Sequence, residues 1–234
     1  LVPMKQVGNI YEITSKRQFK SLETIDEGLV KLSFDFAYEM AFGAGEHRSY
    51  RSGGAIRRKS GEIFANALQG KLAESFLSQV FRERGEDISS PDFTIGSLGF
   101  YDDYDLYSYG HVVSVKSTTF FGNLLLLEKK DWFIDGSGKA KYKHGKVDAD
   151  IVCLVRLKLS GDFSTVTALL KKHRLLYAST VSKSFLEDLL FPMTWEADIP
   201  GYVFSEDLNL VIVENQMIPQ GALLNGKTVM DADN

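Results

Sequence analysis

The chain has 234 residues, of which 44% are hydrophobic, and its formal net charge is −4. This size and apolar content suffice for one buried core, and no apolar run reaches the roughly 18–20 residues that a membrane-spanning helix needs. The mild negative charge gives no sign of a uniformly basic nucleic-acid-binding protein, although basic residues gathered on one face would still allow such a partner. The single cysteine, Cys153, cannot form an internal disulfide, which predicts a reducing, cytoplasmic location, and its apolar neighbours predict burial.

The N-terminal region, residues 4–60, is predicted to combine a helix over 17–31 with a basic loop. The stretch "HRSYRSGGAIRRKS" (47–60) has five basic residues and no acid: Arg48, Arg51, Arg57, Arg58 and Lys59. Its glycines and serines predict a mobile loop. These side chains would contact phosphates if an active site lies beside them, and would otherwise be an ordinary solvated surface.

The central region, residues 61–160, is predicted to form the α/β core. Large apolar residues recur every fourth position from Phe64 to Val80, which predicts a long helix with Ser60 as N-cap and Gly85 at its end. Short strands broken by glycines follow, then a helix over "TTFFGNLLLLEKKDW" and a buried strand over 149–159. This order predicts a mixed central sheet of four or five strands flanked by helices.

The C-terminal region, residues 161–234, is predicted to hold helices near 165–176 and 182–190 and then an irregular extension packed on the core. Pro and Gly residues in its last part favour turns. No linker separates it, so we predict a single domain overall.

The stretch "DLYSYGHVVSVKST" (105–118) predicts a hairpin with functional side chains on one face. A two-residue turn at Tyr109-Gly110 would place Asp105 opposite Ser114. Ser114 and Lys116 would then share a face with Asp105, while Val113 and Val115 would face the core. A slip of one residue would reverse these faces.

A carboxylate beside an ammonium group suits phosphodiester hydrolysis. Oxygen ligands hold Mg²⁺, which lowers the pKa of a bound water, and a nearby lysine can stabilise the developing negative charge. The alternative is a simple surface salt bridge, which contributes little to stability.

Residues 60–158 resemble the PD-(D/E)XK nuclease superfamily, which has the restriction-endonuclease-like fold. The resemblance is carried by "GKLAES" on the first helix, "YDDYDL", "VSVKST", and then the strand "DIVCLVRL" in the family's order. It implies that Asp105 and Glu74 bind the metal with the carbonyl of Val115, and that Lys116 orients the attacking water.

One position departs from the family's pattern. Where the family has a second acidic residue, this chain has Ser114. We expect the Ser114 hydroxyl to hydrogen-bond within the site without ligating the metal. Glu74 is the first candidate to supply the missing carboxylate, and Glu128 on the following predicted helix is the alternative. Asp92 in "SSPDF" matches the letters of the motif but fits a turn better. Asp102 and Asp103 would add charge to the cleft.

We therefore expect a Mg²⁺-dependent DNA endonuclease, with Mn²⁺ as a possible substitute, most similar to a Type II restriction enzyme. Its partner would be double-stranded DNA, with no membrane, and a palindromic target would call for a homodimer. Two alternatives stay open: a structure-specific repair or junction nuclease, and a nucleic-acid-binding protein with a degenerate site.

Overall fold

A computed structural model describes residues 4–43, 58–95, 104–143 and 148–234. The structure has five α-helices and eleven strands within these ranges. The helices are α1 (Glu27–Phe42), α2 (Ser60–Glu83), α3 (Val166–Lys172), α4 (Lys183–Leu190) and α5 (Ser205–Val213). The strands are β1 (Met4–Val7), β2 (Ile10–Ile13), β3 (Glu23–Thr24), β4 (Leu106–Ser108), β5 (His111–Thr119), β6 (Trp132–Ile134), β7 (Ala140–Tyr142), β8 (Ile151–Leu159), β9 (Trp195–Phe204), β10 (Leu223–Leu224) and β11 (Thr228–Val229).

A five-stranded mixed sheet in the order β3-β9-β8-β5-β4 forms the centre of the fold. The neighbours β5 and β8 run parallel, whereas the other pairs are antiparallel. Helices flank this sheet, so the predicted fold class, an α/β fold with a mixed central sheet, is confirmed. A smaller sheet, β1-β2-β10-β11, brings the two ends of the described chain together. The predicted domain boundaries stay a prediction.

Helix α2 is the main element packed on the central sheet. Its residues Leu68, Leu72 and Phe76 are buried in one cluster with Val113 and Val115 of β5. The four-residue periodicity of the sequence therefore predicts the correct face of this helix. Its N-cap is Lys59 instead of the expected Ser60, which is the first helical residue. Gly85 lies just beyond the C-cap with a positive φ of 77°, as a helix-ending glycine should.

The prediction of a helix between β5 and β8 is wrong. Residues 122–128 have no regular secondary structure, and a single 3-10 turn, Lys129–Asp131, precedes β6. Leu124 packs instead against a small cluster of Ile218, Ala222 and Met230. Tertiary contacts with the C-terminal region thus replace the helical packing that the run of leucines suggested.

The N-terminal helix lies further along the chain than predicted. Residues 17–22 have no regular secondary structure, and α1 begins only at Glu27. Asp26 caps it, since its carboxylate accepts from the backbone N–H groups of Gly28 and Leu29.

The C-terminal region is more regular than predicted. Helices α3 and α4 match the two expected stretches, but β9 and α5 occupy residues expected to be irregular. Strand β9 pairs with β8 at both of its ends, and the register shifts between Leu154 and Arg156, which leaves Ile199 and Pro200 without a partner on β8. Pro200 lies at this irregularity, where a missing N–H does not interrupt the ladder. Within the described ranges, no helix combines the length and apolar character that crossing a bilayer requires.

Candidate active site

The β4–β5 hairpin has the register that the sequence predicts. Tyr109 and Gly110 form its turn, both with positive φ (48° and 87°), as a two-residue type I′ turn requires. Ser108 pairs with His111 and Leu106 with Val113. Asp105 therefore comes opposite Ser114, one position beyond the last paired residue of β4.

The two faces of the hairpin differ in chemistry. Val113 and Val115 are buried against the core. Because side chains alternate along a strand, Ser114 and Lys116 lie on the opposite face. The side chain of Lys116 is 45% exposed and that of Asp105 is 33% exposed. These two polar side chains are thus partly exposed to solvent.

Three groups of β5 converge on one oxygen of Asp105. Its Oδ2 atom accepts a hydrogen bond from the backbone N–H of Val115 at 2.7 Å and one from the Ser114 hydroxyl at 3.0 Å. The Lys116 ammonium lies 4.0 Å from the same oxygen. Among the described residues, Oδ1 accepts no hydrogen bond. The carboxylate is thus held in one orientation by Oδ2, with Oδ1 available to a cation.

Ser114 is a positioning group in this arrangement. Its hydroxyl is a donor to Asp105, which is the hydrogen-bonding role expected from the sequence. Val115 contributes its N–H to the same carboxylate, and its role as a ligand through the carbonyl stays a prediction.

Glu74 lies on α2, the helix that packs on the valine side of the hairpin. Its side chain is buried and accepts a hydrogen bond from Lys71 Nζ at 2.7 Å. The Lys71 ammonium also lies 5.0 Å from the centre of the Phe36 ring on α1. Lys71 was missed from the sequence, although a spacing of three residues on a helix is a recognised signal for an ion pair.

Glu128 lies outside any helix, contrary to the prediction. Its side chain is mostly buried, and the ammonium of Lys130 lies 3.2 Å from its Oε2 atom. This contact does not have hydrogen-bond geometry, so Oε2 is a buried oxygen without a hydrogen-bond partner in the described chain. Glu128 was a candidate for the substitute carboxylate because of its place on the predicted helix. Since that helix does not form, its position no longer supports this role.

The remaining candidates divide between described and undescribed residues. Asp92 accepts the backbone N–H of Thr94 at 2.7 Å, which fits the turn expected for "PDF". Arg58 and Lys59 lie at the start of α2, and the Lys59 N–H donates to Glu62. The other predicted residues lie outside the described ranges: Arg48, Arg51, Arg57, Asp102 and Asp103.

The candidate site offers few protein ligands to a metal ion. Among the described residues, no group of three or more His, Cys, Asp or Glu side chains surrounds a common point. Mg²⁺ commonly keeps several waters and is bound by one or two carboxylates together with substrate phosphates. Asp105 alone would leave most of the coordination shell of such an ion to water and phosphate, and its role as a Mg²⁺ ligand stays a prediction.

Cys153 is a core residue without reactive character. It lies on β8, and burial raises the pKa of its thiol to about 12. The thiolate, the nucleophilic form, is therefore not populated near neutral pH. This agrees with the buried position predicted from its apolar neighbours.

No protein-family model matches this chain, and no curated protein or solved structure matches it either. Function is therefore inferred from the geometry of the hairpin and from the sequence motifs that it carries.

Proposed function

We propose that this protein is a Mg²⁺-dependent DNA endonuclease with a PD-(D/E)XK-type site, most similar to a Type II restriction enzyme. The observation that carries this proposal is the convergence of Ser114, the Val115 N–H and Lys116 on the Asp105 carboxylate. A structural salt bridge needs only the two charges. Here a hydroxyl and a backbone N–H fix the carboxylate as well, while one of its oxygens stays available.

Asp105 would hold the metal together with substrate phosphates. The role of Glu74 as the second carboxylate stays a prediction, because α2 packs on the valine side of the hairpin, opposite the face of Ser114 and Lys116. Bound Mg²⁺ would supply Lewis-acid polarisation of the scissile phosphate and a lower pKa for an attacking water. Ser114 and the Val115 N–H would keep the carboxylate directed at the ion. The Lys71 ammonium donates to Glu74 Oε2 at 2.7 Å and so orients this carboxylate within a mostly apolar helix interface.

Lys116 would act on the reacting phosphate. Its ammonium is half-exposed and 4.0 Å from Asp105, too far for a strong hydrogen bond. It therefore has donors available to orient the attacking water and to stabilise the negative charge that develops on the phosphoryl oxygens.

The alternative with support is a nucleic-acid-binding protein with a degenerate site. Ser114 stands where the family has a carboxylate, and the described residues hold no three-ligand cluster. Salt-dependent DNA binding with no product in Mg²⁺ or Mn²⁺ would favour it. A repair or junction nuclease would share the catalytic residues but cut according to DNA structure, so discrete bands from a plasmid would argue against it.

A homodimer is the assembly that we propose. Four large apolar side chains near the end of β9 and on α5 are exposed: Tyr202, Phe204, Leu210 and Val213. The Tyr202 and Phe204 rings lie 5.5 Å apart. Exposed apolar side chains of this kind can mark a protein contact. Light scattering coupled to size exclusion would give the mass of a dimer, and substitution of Leu210 and Val213 by Ser would then shift it towards the monomer.

The test is cleavage of supercoiled plasmid and genomic DNA in the presence of Mg²⁺ or of EDTA. Asp105→Asn keeps the size of the side chain but removes its charge, and should lower the cleavage rate by about 100-fold or more. Asp150→Asn is the matched control, because Asp150 Oδ2 also accepts a backbone N–H of β5, that of Val112 at 2.8 Å. Equal loss in both variants would mean that only the strand, and not the site, had been disturbed.

A further inference from the structure

The β6–β7 hairpin presents a line of lysines beside an exposed aromatic ring. Lys139, Lys141 and Lys143 occupy alternate positions along one edge of the hairpin, so they share a face. Phe133 pairs directly with Lys141 across the hairpin and is 47% exposed. The opposite face carries Trp132 and Tyr142, whose rings are 5.4 Å apart.

The carboxylates of this region neutralise only part of its positive charge. Asp148 pairs with Lys141, and this hydrogen bond raises the pKa of the lysine. Asp135 is engaged within its own turn, where Oδ1 accepts from Ser137 and from the Lys139 N–H. Hydrogen bonds from Ser137 lower the pKa of this carboxyl, so it stays ionised.

Within the part of the chain that the structure describes, the ammonium groups of the two outer lysines, Lys139 and Lys143, form no ion pair with a carboxylate. The Lys143 ammonium donates to the neutral carbonyl of Lys130, so its charge is not cancelled there. Lys139 is exposed at the other end of the line.

The shape of this surface fits duplex DNA. The major groove, about 12 Å wide, accepts a two-stranded β-ribbon. Alternate residues of a strand are about 7 Å apart, so three lysines cover about 14 Å along a backbone that carries one charge per roughly 3.4 Å of each strand. An exposed aromatic ring between them can contact thymine methyl groups in the groove.

The hairpin also stands at the end of the sheet that carries Asp105. Lys141 contacts Asp148, which is two residues before Asp150, and Asp150 in turn binds the Val112 N–H on β5. On its other side, the Ala140 N–H donates to Asn209 of α5, which follows β9 at the same end of the sheet. This path from the Lys141 ammonium to the Asp105 carboxylate is at most about 35 Å, from the reach of the chain. One turn of DNA is about 34–36 Å, so one duplex could contact both.

We propose that the β6–β7 hairpin is a DNA-contacting ribbon that enters the major groove beside the candidate active site. Lys139 and Lys143 contact phosphates, and Phe133 lies against base edges. This inference depends on the proposed function, because it assumes that duplex DNA is the substrate.

The test is duplex binding in EDTA, where no cleavage occurs. Fluorescence anisotropy with a mixed-sequence 30-bp duplex, at salt concentrations from about 50 to 300 mM, gives both the affinity and its salt dependence. The double variant Lys139→Ala/Lys143→Ala should bind about 10- to 60-fold more weakly near 0.1 M salt, with a log–log slope smaller by about 2. Phe133→Ala should weaken binding without changing that slope.

The matched control is Lys171→Ala/Lys172→Ala. It removes the same charge from two exposed lysines on α3, which follows the opposite end of β8. Binding by the hairpin variant equal to that of this control, with an unchanged slope, would overturn the inference and leave the nuclease proposal intact. If the unaltered protein binds no duplex at any salt, the proposed function itself fails.

Discussion

Replacement of Asp198 by Ala should destabilise the protein by about 3 kcal/mol, because it leaves a buried positive charge without its partner. Arg156 is fully buried at the centre of the sheet, and its guanidinium binds both oxygens of Asp198, at 2.7 and 2.5 Å. Three further hydrogen bonds go to the carbonyls of Arg17 and Gln18 and to the Asn123 amide oxygen. Asp198→Ala removes two of these five bonds and the compensating charge.

The size of the destabilisation follows from the hydrogen bonds that Arg156 keeps. Loss of one partner of a buried ion pair costs roughly 3–5 kcal/mol, and the three retained hydrogen bonds place this case near the lower limit. With an m-value of about 3 kcal/mol per M, the urea midpoint should fall by about 1 M. Tryptophan fluorescence during urea unfolding measures this midpoint directly.

The control is Glu196→Ala, which breaks the half-exposed Lys158–Glu196 pair on the neighbouring positions of β8 and β9. Exposed pairs contribute roughly 0–1 kcal/mol, so the urea midpoint should barely move. Equal effects of the Asp198 and Glu196 substitutions would refute the view that a buried charge network joins residues 17–20 to the sheet.

Three further predictions concern single residues of the core and the hairpin. Cys153 should resist alkylation at pH 8 in the native protein and react after unfolding. Burial raises the pKa of its thiol from 9.0 to about 12, so the free energy of unfolding should fall on account of this group only above about pH 9. Rapid native labelling would contradict this. Gly110→Ala, at a φ of 87°, should cost about 1 kcal/mol in urea unfolding, whereas no loss would contradict the type I′ turn. Leu72→Ala, at a fully buried position of α2, should cost about 2–5 kcal/mol, and a cost below 1 kcal/mol would contradict its place in the core.

The hairpin and α2 could be predicted because their signals are local. A turn residue that needs positive φ fixes the register of a hairpin, and the register fixes which side chains share a face. A four-residue apolar repeat similarly fixes the buried face of a helix. The turn and the register of the hairpin together place Ser114 and Lys116 on the face of Asp105.

The elements that were missed depend on distant contacts or on weak signals. Strand β9 contains Pro200 and Gly201, which favour turns, and only its pairing with β8 shows that they lie at an irregularity in the ladder. The leucines after β5 pack on the C-terminal cluster, which no local pattern reveals. Helix α1 did have a signal, an Asp26 cap followed by apolar residues at helical spacing to Ala41.

Arg156 was also hidden from sequence reasoning. It lies within an apolar run, "IVCLVRLKL", that predicts a strand buried on both faces. Burial of a charged group requires a paired partner, and Asp198 is 42 residues away in the chain. Only the fold brings the two together.

The most direct test of the central claim is the single-turnover cleavage rate of Lys116→Ala with Mg²⁺, measured beside Lys158→Ala. Both lysines lie on the same face of adjacent strands, with similar exposure and one carboxylate neighbour each. Loss of Lys116 should lower the rate by about 100-fold or more, while loss of Lys158 should leave it nearly unchanged. Cleavage at the unaltered rate by Lys116→Ala would contradict this prediction.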